Sequence, residues 1–184
     1  MSNATLVTID RVIATLAGQG IEATDDPSGR AAHANHNGYN LLFVLLDSVL
    51  IARADSVTDT PADTPDATLY LAANQVNSSY LDARALVVNR TENIVVRTEA
   101  EIPVGAGLAD DQLATALNAS VAGVMETQDA MRVLVGEIKR TAEEDGGGGE
   151  AMVKEGDKLG FLVPAETTDK LLIAASDGDR KSVV

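Results

Sequence analysis

The stretch from Asn37 to Ala54, NGYNLLFVLLDSVLIARA, sets the tightest limit on what this chain can fold into. Asn37-Gly38 is the dipeptide that best accepts the positive φ angles of a two-residue hairpin turn, and the run from Tyr39 to Leu46 behind it is almost wholly apolar. Side chains alternate along a strand, so Tyr39, Leu41, Phe43 and Leu45 take one face and Leu42, Val44 and Leu46 the other. A sheet covered on one side only leaves the second set in water. Leu42, Val44 and Leu46, with Leu50 from the strand that follows, are therefore the candidate interface residues.

Composition narrows the classes of partner. With 3% aromatic residues and no Trp, the core has to be built from aliphatic side chains. A formal net charge of -14 opposes contact with nucleic acid and with anionic membrane surfaces, so neither is expected as a partner. The absence of cysteine removes disulfide frameworks, thiol nucleophiles and thiolate metal sites. The opening MSNATLVTIDRV lacks the basic start and apolar run of a signal peptide, and no stretch reaches 18 consecutive apolar residues, so a cytoplasmic protein is the expectation.

Read in order, the chain predicts an α+β fold: an antiparallel meander sheet with an N-terminal helix, a mid-chain helix inserted between strands and a long C-terminal helix. Leu6, Ile9, Val12, Ile13 and Leu16 recur at helical spacing, giving a first helix over 5–18. Strands at 21–26 and 29–35 flank Pro27-Ser28, and the strand from Tyr39 is followed by another from Val49 to about Val57. Thr64-Pro65-Asp66 supplies a cap, a first-turn proline and an acid for a second helix running to about residue 80. Strands at 83–89 and 93–104 come next, the latter with Arg97, Glu99 and Glu101 on one wet face. A last helix follows Gly105-Ala106-Gly107 and runs to about Arg140, with Gly123 or Thr127-Gln128-Asp129 as the place where it bends. The domain is expected to span 1–142, and 143–184 reads as an acidic, glycine-rich linker and a disordered tail.

No residue set assigns a chemistry. Val104-Gly105-Ala106-Gly107-Leu108-Ala109-Asp110 imitates a dinucleotide-binding turn, but the third glycine is Asp110, and Asp111 beside it adds a second negative charge where a phosphate would sit. His33 and His36 fall on opposite faces of a strand, and Asp55, Asp59, Asp63 and Asp66 do not follow the alternate-position pattern of a calcium loop. Without Cys or a hydrolase or phosphate-loop motif, the reading is a non-enzyme with no catalytic, cofactor-binding or metal residues.

The element order, with the blocks TIDRVIATLAGQGIEA, NGYNLLFVLL, ATLYLAANQVN and VVRTEAEIPVGAGLADDQLATALNAS, resembles the YbjN family, whose fold is similar to the type III secretion chaperones. Asn74 with Asn77, and Asp110-Asp111-Gln112-Leu113, look like the most specific features of that family, and the likeness covers about residues 5–140. Ala109 stands where a Ser or Thr would cap the last helix, so its capping box with Gln112 is half present. The resemblance implies a bacterial regulator of sensory transduction with a chaperone-like dimer fold. Joined to the doubly apolar strand, it points to a non-catalytic, regulatory or chaperone-like homodimer that binds a protein or peptide partner. The alternative is a small-ligand sensor with a pocket between the sheet and the long helix.

Overall fold

The computed structural model describes residues 4–64, 67–89 and 91–144. Along the chain lie α1 (Ile9–Gly18), β1 (Ala23–Asp25), β2 (Ala31–His36), β3 (Tyr39–Leu45), β4 (Val49–Pro61), α2 (Thr68–Ser79), β5 (Arg84–Val88), β6 (Asn93–Pro103) and α3 (Asp110–Glu144). Contacts divide it into a unit ending at Gly136 and another beginning at Glu137. In the second, Arg140 pairs with Glu144 at 2.8 Å and the Thr141 hydroxyl donates to the Glu137 carbonyl. The tail read from the sequence lies, past Glu144, outside the described residues.

Six antiparallel strands form one sheet in the order β1-β2-β3-β4-β6-β5. The expected meander holds through β4. Then α2 carries the chain to the far edge, and β6 returns to lie between β4 and β5. Strand length explains this: β4 and β6 have 13 and 11 residues, whereas β1 and β5 at the edges have 3 and 5. Placing the two longest strands side by side satisfies the most backbone groups, and short edges expose the fewest. The β5 edge is closed further by Asn77 of α2, whose amide nitrogen donates to the Ala85 carbonyl at 2.9 Å and whose oxygen accepts from the Ala85 N–H at 2.6 Å.

The turn between β2 and β3 adopts positive φ at both Asn37 and Gly38, 51° and 82°, and pairs His36 with Tyr39. Leu41 and Phe43 then join Leu50, Ala52 and Ala54 of β4 and Ala100 and Ile102 of β6 in the core. Val12 and Leu16 of α1 and Leu113, Leu117, Val121 and Val124 of α3 cover that face. Leu69 of α2 borders a small cavity on the same side, with Val96, Gln128 and Met131.

Helix starts differ from the sequence reading. Helix α1 begins at Ile9, not residue 5, because Thr8 caps it through its hydroxyl while Thr5 forms an antiparallel bridge with Leu108, leaving Leu6 73% exposed. Gly107 makes that bridge possible: its φ is +72°, and a Cβ there would lie 2.6 Å from the Thr5 carbonyl oxygen. Arg11 fastens the same junction, donating to the carbonyls of Thr5, Leu6 and Leu108 and to the Asp110 carboxylate. Helix α2 begins at Thr68 after Ala67, with no side-chain cap, and β4 continues to Pro61, past the end expected near Val57. Pro65 and Asp66 of the expected start lie outside the described residues.

Helix α3 is unbroken at the two places where a bend was expected. Gly123 gives room to Asp82, whose Cβ would stand 3.1 Å from an added Cβ. Gln128, 3% exposed, donates to the carbonyls of Ala54 and Val96, and the buried Thr98 hydroxyl donates to the Val124 carbonyl. These bonds tie the helix to β4 and β6, where an unpaired amide would be costly. At the N-terminus the Gln112 side chain accepts from the Ala109 N–H, which is the half capping box.

Replacing Gln128 by Leu leaves both carbonyls without this donor. It is expected to lower the unfolding free energy by about 2 kcal/mol in denaturant titration. A second tie, from the Tyr39 hydroxyl to the Asp129 carboxylate, makes a pH prediction. That hydrogen bond, with burial, raises the Tyr39 phenol above its ordinary value of 10.0. Its contribution is present below that value and lost as pH rises through the raised one. Asp129→Asn should bring the Tyr39 titration, followed by NMR, back down.

Candidate functional site

The second face of the sheet carries a surface that differs from the core in kind. Register places Leu42 and Val44 of β3 beside Arg53 and Ile51 of β4. The next strands add Glu99 opposite Arg53, Arg97 opposite Asp55, and Arg84 opposite Glu99. Leu42, Val44, Val49 and Ile51 are each partly exposed. They form an aliphatic patch beside a strip of charge, with Val57, Leu86, Val88 and Val95 on its other side.

The charged strip is internally paired. Arg97 holds Asp55 at two points, Nε to Oδ1 and Nη2 to Oδ2, both at 2.8 Å. This fork is the strong geometry for a guanidinium and a carboxylate, and it keeps Arg97 above its ordinary pKa. Arg84 Nη2 lies 2.6 Å from Glu101 and 3.4 Å from Glu99. Arg53 is less well served: its Nη2 is 3.9 Å from Asp55, which Arg97 already occupies, and its Nε is closed off from solvent with no hydrogen-bond partner.

Of the four residues singled out by sequence, the structure brings two together. Leu42 and Val44 lie side by side on this face. Leu46 sits past the end of β3, 47% exposed, beside a groove of about 320 Å³ that Leu6, Ile9, Leu45 and Val104 also line. Leu50 is on the opposite face, fully buried with Phe43 in the core. The cause is register: Leu45 pairs with Leu50, which hands Leu50 to the face of Leu45 and Val49 and Ile51 to the face of Val44. Sequence reading missed Val49 and Ile51, although the alternation VLIARADSV contains them; what it lacked was the phase.

Other candidates resolve into structural roles. His33 lies 3.5 Å from an Asp26 carboxylate oxygen, and the Ser28 hydroxyl, with the Ser28 N–H, holds that carboxyl below its usual range. No group of three metal-ligating side chains is found among the described residues. The glycine turn before α3 houses Thr5 and presents Asp110 to Arg11. The cavity between β4, β6, α2 and α3, where a sensor pocket was expected, measures about 120 Å³, against about 300–1,000 Å³ for typical small-molecule sites. No helix among the described residues is long and apolar enough to cross a membrane.

Residues 8–132 match the YbjN family, described as "Putative bacterial sensory transduction regulator". Among solved structures, that of E. coli YbjN, titled "a putative transcription regulator", superposes with a TM-score of 0.53 at 16% identity, covering 77% of this chain and 97% of that one. The likeness is one of fold: three helices on a six-stranded antiparallel sheet. Among curated proteins, a DNA topoisomerase 4 polypeptide of Caulobacter vibrioides shares 29 residues at 83% identity, which is 16% of this chain and 4% of that protein's length.

Asp55→Ala is expected to destabilise the sheet by about 1–2 kcal/mol in denaturant unfolding, since it strips Arg97 of both bonds at a half-buried site. Val57→Thr, at a residue 71% exposed, should change stability by less than about 0.5 kcal/mol.

Proposed function

Starting from the fact that this chain belongs to the YbjN family, we propose that it is a non-catalytic regulatory module that acts as a homodimer and binds a protein or peptide partner. In this reading two copies meet through the bare face of the sheet. The observation that carries it is the aliphatic patch of Leu42, Val44, Val49 and Ile51 on a face that the helices among the described residues do not cover. Apolar side chains grouped in this way gain from being removed from water, by roughly 25 cal/mol per Å² buried.

Two further features support adhesion over turnover. The carboxylates beside the patch are held by arginines, and Asp55 is bonded by Arg97 at both oxygens in the manner of a structural ion pair. The space between sheet and long helix is a few waters in size, which favours recognition at a surface over capture of a metabolite.

Sedimentation velocity tests the reading. The wild-type chain should show a concentration-dependent dimer, and Val44→Asp should be a folded monomer, because an uncompensated carboxylate at the contact is strongly unfavourable. A wild-type chain that stays monomeric throughout the micromolar range would refute the dimer.

A further inference from the structure

We propose that Arg53 sets the orientation in which two copies meet, each copy offering its Arg53 to the Glu99–Glu101 acid pair of the other across a two-fold axis along the β4/β6 seam. The proposal rests on the bare-face dimer above and adds the partner of one residue and the direction of the axis.

Three observations lead to it. First, the charged strip of the bare face is balanced where the chain is not. Arg53, Arg84 and Arg97 balance Asp55, Glu99 and Glu101, whereas the full chain carries -14. Two copies of a strongly acidic protein repel, so a charge-balanced face is where they can approach. Second, Arg53 is the cation of this face whose needs are unmet. Asp55 is taken by Arg97 at both oxygens, and Arg53 Nη2, on a side chain still 26% exposed, reaches it only at 3.9 Å. A guanidinium with unused donors on a surface due to be desolvated calls for a carboxylate from outside. Third, Glu101 has acceptor capacity to give: Arg84 binds its Oε1, and the side chain remains 51% exposed.

Register supplies the axis. Arg53 lies opposite Glu99, Asp55 opposite Arg97, and Val57 opposite Val95 across β4 and β6. A two-fold axis parallel to these strands and midway between them lays β4 of one copy over β6 of the other. Those pairings then recur between copies: Arg53 faces Glu99 with Glu101 adjacent and Asp55 faces Arg97, while Ile51 and Leu42 pack on the side-chain stems of Glu101 and Arg84 in the other copy. An isologous contact needs such a self-complementary pattern.

A mixing experiment tests it on the full chain. Arg53→Glu alone places two acids in apposition at each of the two equivalent contacts, and Glu101→Arg alone places two cations there. Each variant should therefore dimerise at least tenfold more weakly than wild type. An equimolar mixture should regain most of the lost affinity, because the heterodimer restores opposite charges at both contacts. Sedimentation velocity on the two variants and their mixture reads this directly, and rescue on mixing also shows that both variants are folded. A mixture that associates no better than its components overturns the Arg53 assignment. So does an Arg53→Glu chain that dimerises like wild type. If in either case Val44→Asp is a folded monomer, the bare-face dimer stands and only its orientation is wrong. If Val44→Asp remains dimeric, the face itself is wrong.

Discussion

The ladder between β4 and β6 is the constraint on which the rest of the molecule depends. Nine consecutive pairings run from Val49–Pro103 to Val57–Val95, with one more at Pro61–Asn93 after an irregularity. The phase of that ladder decides which side chains of both strands face the helices, and so puts Leu50, Ala52, Ala54, Ala100 and Ile102 into the core together. The same phase puts Ile51, Arg53, Asp55, Arg97 and Glu99 on the other side. Gln128 then binds carbonyls on both strands of the ladder at once, so the long helix is positioned against its centre and not against an edge.

Much of this was legible in the residues. The Asn37-Gly38 turn, the apolar strand behind it, the alternation of Ile94 to Val104 and the half capping box at Ala109 and Gln112 all have local causes, which sequence states directly. Strand order was not legible. Whether β5 or β6 lies against β4 depends on a comparison of whole strands, and no short stretch records it. The start of α1 was misplaced for a similar reason. Leu6 fits the helical spacing, but a bridge to Leu108, about a hundred residues away, holds the preceding Thr5 extended.

The candidate surface was half legible. That β3 has two apolar faces followed from alternation alone, and Leu42 and Val44 were correctly placed together on one of them. Leu50 went to the wrong side because the turn at Asp47-Ser48 sets the phase of β4, and a shift of one residue exchanges its faces. The charged strip was hidden for a different reason. Arg53 and Asp55 read as ordinary solvated residues until register sets Glu99 and Arg97 opposite them. Gln128 was hidden most deeply, since a polar residue in a helix reads as exposed unless the strand carbonyls it binds are known.

The small detail of Asn77 bears on how large an assembly can grow. Its amide fills the backbone donor and acceptor of Ala85 that a further strand would use, and the opposite border of the sheet is a strand of three residues. Lateral extension, the route by which sheets polymerise into fibres, is thus blunted at both borders. Growth is left to face-to-face contact, and a face used once is used up. An apolar sheet surface that would be a hazard on an open-ended sheet stands, in this molecule, on one whose borders offer little to a further strand.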